Sequence, residues 1–192
     1  MPALRAGAPA RVVNVSSMGH WIFTPPGGIL FDDFRGEGAK AVVNPWSRYS
    51  SSKLANVLHA FEINRRFGGA ASNGVVGVSL RPGAILSTRL GDTAFGSVST
   101  ILTMLSYGFP LVAPIVDPLK SIAAGAATSV FCAIAPFEAR AGDGGVRPGG
   151  YHQDSAAATV RVSPFAADAG LAARLWDATE KIIGEVLASP KQ

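Results

Sequence analysis

Two short runs of β-branched and apolar residues punctuate the chain, and each stops at a turn signal. Arg11 to Ser16 (RVVNVS) holds Val12, Val13 and Val15 and leads into Ser17-Met18-Gly19. Val75 to Leu80 (VVGVSL) ends sharply at Arg81-Pro82-Gly83. Both have strand length, and their apolar content predicts buried strands. Between them lie two different textures. Residues 24–45 are rich in Pro and Gly and predict an irregular excursion. Residues 46–67 carry a helical period, with Leu54, Val57, Leu58, Phe61 and Ile63 forming one apolar side. Arg65 and Arg66 stand in the last turn, where cations suit the helix dipole, and Gly68-Gly69 end the helix.

Beyond the second strand the pattern changes. No charged residue lies between Asp92 and Asp117, a length sufficient to span a bilayer. Pro110 and Pro114 interrupt it, and Gly, Ser and Thr dilute it. Residues 91–117 therefore predict an apolar lid or pocket wall rather than a spanning helix, with a peripheral membrane contact left open. Asp117-Pro118 then reads as an N-cap followed by proline at the first helical position, for a helix running to about Ala135. A Gly-rich loop (AGDGGVRPGG) precedes Tyr151, which begins a short third strand. Ser163-Pro164 repeats the cap-plus-proline signal before a last helix with Leu171, Leu175, Ile182 and Val186 as its core stripe. Strands alternating with helices predict an α/β fold with parallel pairing and right-handed crossovers.

Composition narrows this further. The 192 residues are 48% hydrophobic and 16% charged, which suits one domain with a sizeable core and excludes disorder as the main state. The single cysteine, Cys132, excludes an intramolecular disulfide and favours a reducing compartment. The net charge of +4 comes from scattered cations, with Arg65-Arg66 the only adjacent pair. No clustered basic face predicts nucleic-acid binding. The N-terminus offers no apolar signal-peptide core, so the expected location is cytoplasmic or peripheral to an intracellular membrane. His20, His59 and His152 lack metal-ligand spacing, and no Gly-x-Ser-x-Gly elbow points to a hydrolase. Asn14-Val15-Ser16 is a formal glycosylation sequon, but it falls on a strand expected to be buried.

The chemistry centres on Tyr49-Ser50-Ser51-Ser52-Lys53. Tyr and Lys at i and i+4 share one helix face. A free phenol exchanges protons poorly near neutrality, and a neighbouring ammonium favours its charged form. The pair can thus act as an acid/base. Alone the spacing is weak, because any helix can carry it.

Three segments give it context: RVVNVSS, YSSSKLANVLHAFEINRRF and VVGVSLRPG. Together they resemble the second half of a short-chain dehydrogenase/reductase. The Ser-Lys-Leu-Ala-Asn-Val-Leu run, the Phe-Asp-Asp excursion and the GAATSVFCA helix are similar to the branch of retinol dehydrogenases and WW-domain-containing oxidoreductases. The resemblance implies roles position by position. Ser17 matches the serine that hydrogen-bonds the substrate oxygen, with Ser16 as its competitor. Tyr49 matches the general acid/base. Lys53 matches the residue that tunes the tyrosine and binds the nicotinamide ribose. Pro82 and Gly83 match the turn beside the nicotinamide, and Ile85 and Ser87 match positions on its carboxamide and pyrophosphate side; Thr88 has a weaker claim. The cofactor implied is NAD or NADP, and the substrate a small lipophilic alcohol or carbonyl compound. Trp21, Phe23, Tyr107 and Phe109 fit either its pocket or ordinary core.

The resemblance is partial. Nothing in the chain matches the family's first strand and Gly-rich pyrophosphate turn, its Asn-Asn-Ala-Gly segment or its structural asparagine. The fold expected is thus a partial Rossmann-type doubly wound parallel sheet, a single truncated NAD(P)-binding domain over 1–192 without the N-terminal cofactor-binding half. An alternative stands beside the oxidoreductase: a non-catalytic fragment or pseudoenzyme that binds protein or lipid. Exposed strand edge in such a half-sheet predicts poor solubility or homo-oligomers.

Overall fold

A computed structural model describes residues 2–34, 45–68, 74–85, 120–138, 142–158 and 161–188. The elements are α1 (Pro2–Ala6), β1 (Ala10–Val15), α2 (Gly19–Ile22), a 3-10 turn (Phe31–Asp33), α3 (Pro45–Phe67), β2 (Val75–Leu80), α4 (Ile122–Ile134), β3 (Tyr151–Gln153), β4 (Ala156–Ala157) and α5 (Ala169–Ala188). The sheet runs β1-β2-β3-β4. The β1–β2 and β2–β3 pairs are parallel, as the alternation of strands and helices predicts. β4 is an addition. Asp154 and Ser155 adopt left-handed φ of 51° and 58°, and this tight turn folds β4 back antiparallel on β3.

β2 is the centre of the molecule, and all six of its residues are buried. Its Val76, Val78 and Leu80 pack with Cys132 of α4 and with Val146. Residue 77 points to the other face, where only glycine fits: a Cβ there would lie 2.1 Å from the Ala60 carbonyl oxygen of α3. Helices therefore cover both faces of the strand. On the α3 side, Leu54 and Leu58 pack with Ile29 and with Ala172 and Leu175 of α5.

β1 differs from β2. It stands at the end of the sheet order, its residues are only half-buried, and Val15 is 47% exposed. The expectation of a buried strand there is corrected: β1 is an edge among the described residues. It is held to α3 by polar contacts, since Asn14 Nδ2 donates to the Asn56 carbonyl (2.9 Å) and Asn56 Nδ2 donates to the Val15 carbonyl (2.9 Å). Asn14 Nδ2 is thus engaged in a hydrogen bond to α3, but the strand that carries the sequon, expected to be buried, is only half-buried.

Three further expectations are corrected. α4 begins at Ile122 behind Ser121, whose hydroxyl accepts from the Ala124 amide (3.2 Å); Asp117-Pro118 lies outside the described residues. α5 begins not at Ser163-Pro164 but at Ala169, with Asp168 as its cap. Asp168 Oδ1 accepts from the Leu171 amide (2.9 Å), while Ser163-Pro164 forms a separate turn closed by Ala166 N–H to the Ser163 carbonyl (2.9 Å). On α5, Val186 is 62% exposed and is not core, because α5 has by then run past its packing partners. Arg65 and Arg66 do more than meet the helix dipole: they clamp Glu62, whose side chain is fully buried. Among the described residues no helix is long and apolar enough to cross a membrane. The 91–117 segment lies outside those residues.

Candidate active site

β1 and β2 end level with one another. Val15 pairs with Leu80, and the Ser16 amide donates to the Leu80 carbonyl (2.6 Å). Ser17 and the Arg81-Pro82-Gly83 turn therefore emerge side by side at the carboxyl edge of the sheet, where open α/β sheets hold ligands. α3 crosses beside them and presents Tyr49 and Lys53.

Gly19 joins these groups. A Cβ at Gly19 would lie 2.6 Å from Tyr49 Cε1, 2.9 Å from Tyr49 Cδ1 and 3.5 Å from Ser17 Oγ. The bare glycine lets the phenol ring lie against the serine turn. The Gly19 amide donates to Ser17 Oγ (3.1 Å) and fixes the hydroxyl's place. The Lys53 ammonium stands 5.7 Å from the centre of the Tyr49 ring and forms no ion pair among the described residues. Ser16 is distinct from Ser17: it is buried, and its hydroxyl donates to the Lys53 carbonyl (2.7 Å), tying β1 to α3.

The Pro82–Ile85 turn docks on the start of α4. Gly83 has a φ of 93°, a conformation that favours glycine. A Cβ there would also meet the Lys120 side chain at 2.8 Å. The Lys120 amide donates to the Ala84 carbonyl (2.8 Å), and Ile85 fills the space left by Gly125. Lys120 in turn pairs with Asp154. Ser87 and Thr88 lie outside the described residues, as do Tyr107 and Phe109. Phe23 packs on Trp46 (5.2 Å between ring centres), and Trp46 stands edge-on to Tyr49 (6.4 Å). Trp21 is 39% exposed.

Sequence reasoning missed three residues here: Gly19, Trp46 and His20. His20 is fully buried between the serine turn and Ser163. Gly19 and His20 adjoin the serine in the chain, but only the crossing of α3 gives Gly19 a role, and only the approach of Ser163 and Tyr151 gives one to His20. Cys132, expected as a buried small hydrophobe, is buried, and desolvation pushes its thiol up to about 11. Among the described residues no cluster of three His, Cys, Asp or Glu side chains could hold a metal.

The fit to a dinucleotide is one-sided. The Lys53 ammonium and the Pro82–Gly83 turn at the strand ends suit a nicotinamide ribose. The Gly-rich loop at 142–150 does not make a pyrophosphate cradle: it lies between α4 and β3, where the Gly149 amide donates to the Gly77 carbonyl and the Val146 amide to the Pro136 carbonyl.

A mostly parallel sheet covered on both faces, with polar side chains gathered beyond its strand ends, is part of a Rossmann-type doubly wound fold. No protein-family model matches the chain. Its relatives narrow the class. It is 34% identical over 186 residues to retinol dehydrogenase 12 of Homo sapiens, covering 94% of this chain and 48% of that protein. It is 33% identical to the WW domain-containing oxidoreductase of Danio rerio, over 98% of this chain and 40% of that protein. The short-chain dehydrogenase/reductase drtF of Aspergillus calidoustus is 32% identical over 92% of this chain and 51% of its own length. A crystal structure of an uncharacterised protein from Mycobacterium Paratuberculosis superposes with a TM-score of 0.53 at 27% identity, over 90% of this chain and 50% of that one. Over more than nine-tenths of its length the chain is similar to short-chain dehydrogenases/reductases, among them retinol dehydrogenases and WW domain-containing oxidoreductases, and it spans about half the length of the curated relatives it matches.

Proposed function

We propose that this chain is the C-terminal, proton-transferring half of an NAD(P)-dependent oxidoreductase that interconverts an alcohol and an aldehyde or ketone on a small lipophilic substrate. The observation that carries this reading is the packing of Tyr49 and Ser17 on the one bare glycine, Gly19, with the Lys53 ammonium beside the phenol. When bound, NAD or NADP supplies the hydride chemistry. In the reducing direction Tyr49 gives its phenolic proton to the substrate oxygen, and the Ser17 hydroxyl holds that oxygen in place. In the oxidising direction Tyr49 takes the proton back. Lys53 sets positive charge beside the ring and offers its N–H groups to the ribose hydroxyls. Pro82, Gly83 and Ile85 would form a wall for the nicotinamide, and Ser87 keeps the cofactor-binding role that its place in the sequence implies. Phe23 and Trp46 offer an apolar surface next to Tyr49, which suits a lipophilic substrate better than a charged one.

The test is reduction of a long-chain aldehyde by NADH or NADPH, with calorimetry of cofactor binding alongside. Tyr49→Phe is expected to lower kcat by about 10²–10⁴-fold, the range of a lost general acid, while leaving cofactor affinity in place. An unchanged rate in Tyr49→Phe would sink the mechanism.

A second reading has its own support. Among the described residues α5 exposes Ile183, Val186 and Leu187. A non-catalytic module that binds protein or a membrane surface fits those features. Absence of NAD(P)H binding and turnover in the wild-type chain would favour it.

A further inference from the structure

His20 is fully buried, yet the mechanism above does not use it. Its ring joins segments that are distant in the chain. The Ser163 amide donates to Nε2 (3.3 Å), so Nε2 carries no proton and the imidazole is the neutral Nδ1–H form. Nδ1–H then donates to the Ser17 carbonyl (2.6 Å). The Tyr151 ring of β3 lies against the imidazole with 4.6 Å between centres. Each ring nitrogen thus meets a main-chain group: one belongs to the serine turn, the other to the Ser163–Pro164 turn before α5.

The consequence is geometric. The carbonyl gripped by Nδ1–H belongs to Ser17 itself, whose side chain accepts from Gly19 and lies against the Gly19 face that Tyr49 covers. We infer that His20 is a positioning residue, a neutral imidazole that sets the Ser17–Gly19 turn against Tyr49 by anchoring it to the Ser163 main chain. The inference rests on the proposed roles of Ser17 and Tyr49, but the anchoring itself can be read without turnover. Burial holds the imidazole below its usual pKa, with the nearby Arg81 charge acting the same way and the bond to the Ser17 carbonyl opposing them. The groups around the ring are the Ser17 carbonyl, the Ser163 amide, the Tyr151 ring and the Arg81 cation.

The experiment uses the 192-residue chain with labelled histidine and assigned amides. In the wild type at neutral pH, His20 nitrogen shifts should report the neutral Nδ1–H tautomer, with slow exchange of the Ser163 amide. As the pH falls, both signatures should disappear together, because a protonated Nε2 no longer accepts. His20→Asn keeps a donor near the Nδ1 position. It should release the Ser163 amide while leaving the Gly19 amide and Tyr49 ring resonances near their wild-type shifts. His20→Ala should move all of these while the Val78 and Leu58 methyls stay fixed. A ring in the other tautomer, a Ser163 amide in fast exchange, or Gly19 and Tyr49 signals unmoved in His20→Ala would overturn the inference. So would Val78 and Leu58 methyls that move as far as the site signals. Where aldehyde reduction is measured, His20→Ala should lower kcat about tenfold or more, with KM within about twofold, as for a misplaced catalytic group. Failure of the Tyr49→Phe test would remove the reaction and leave the anchoring intact; failure of the resonance test would do the reverse.

Discussion

Ser16 and Ser17 are neighbours with the same side chain, yet the fold gives their hydroxyls different partners. Ser16 donates to the Lys53 carbonyl and is closed off, whereas Ser17 faces Gly19 and Tyr49. The two alanine variants should therefore separate. Ser17→Ala is expected to cost catalysis with little change in melting. Ser16→Ala should cost about 1 kcal/mol of stability, the net worth of a typical hydrogen bond, measured by urea unfolding. Gly19→Ala tests the close approach itself. Its methyl would lie 2.6 Å from Tyr49 Cε1, so the ring must shift. Tyr49 ring resonances should move and aldehyde reduction should fall; unmoved resonances would contradict the packing. The sequence already favoured Ser17 over Ser16 through the resemblance, but the different partners of the two hydroxyls were not legible there. Side chains that alternate along a strand and then enter a turn acquire their facing only from what crosses them.

At the scale of elements, α3 and β2 were the most legible parts. Their apolar patterns name Leu54, Val57, Leu58 and Ile63 of α3 and the β2 valines, which are buried, while Phe61 is only partly so; Gly77 sits mid-strand where a glycine signals a close backbone approach. Gly77→Ala is expected to destabilise the chain by about 3 kcal/mol, at the upper end for overpacking, because the atom it meets is backbone and cannot rotate away. Chemical denaturation measures this, and a neutral result would mean that α3 and β2 are not so close. Element boundaries were less legible. Ser163-Pro164 has the chemistry of a helix cap, but the helix waits for Asp168, whose carboxylate bonds the Leu171 amide. A local signal marks where a helix can begin; tertiary packing selects which of several caps is used.

At the scale of the whole molecule, pH and association are the informative variables. His20 and His152 are both buried, and both are held below the ordinary value of 6.5, chiefly by desolvation. The unfolded chain binds their protons more readily, so the stability that they confer is complete above about pH 6.5 and declines as the pH falls below it. Glu62 is held below 4.5 chiefly by its hydrogen bond to Arg65, with Arg66 adding to it. Its contribution is present above 4.5 and is lost as the pH falls through its depressed folded value. Urea midpoints should therefore drop between pH 7.5 and 5.5, then again in more acidic solution; a flat profile over the first interval would refute the histidine contribution. The β1 edge and the exposed Val15 predict self-association, which sedimentation velocity should detect and Val15→Lys should weaken.

The sequence by itself determined the class of fold, the apolar sides of α3 and β2, and the Tyr49–Lys53 pair on one helix face, because these depend on periodicity and spacing along the chain. Only the tertiary structure decided that β1 is an edge among the described residues, that Ser16 is bound into the framework while Ser17 faces Tyr49, that a hairpin adds β4, and that His20 bonds its own serine turn to the Ser163 main chain 143 residues further along. The physical reason is that, apart from the local β3–β4 hairpin, each of these depends on contacts between residues far apart in sequence. Such contacts are settled by how α3 and β2 pack against β1 and how the Ser163 turn meets the serine turn, and no local pattern encodes them.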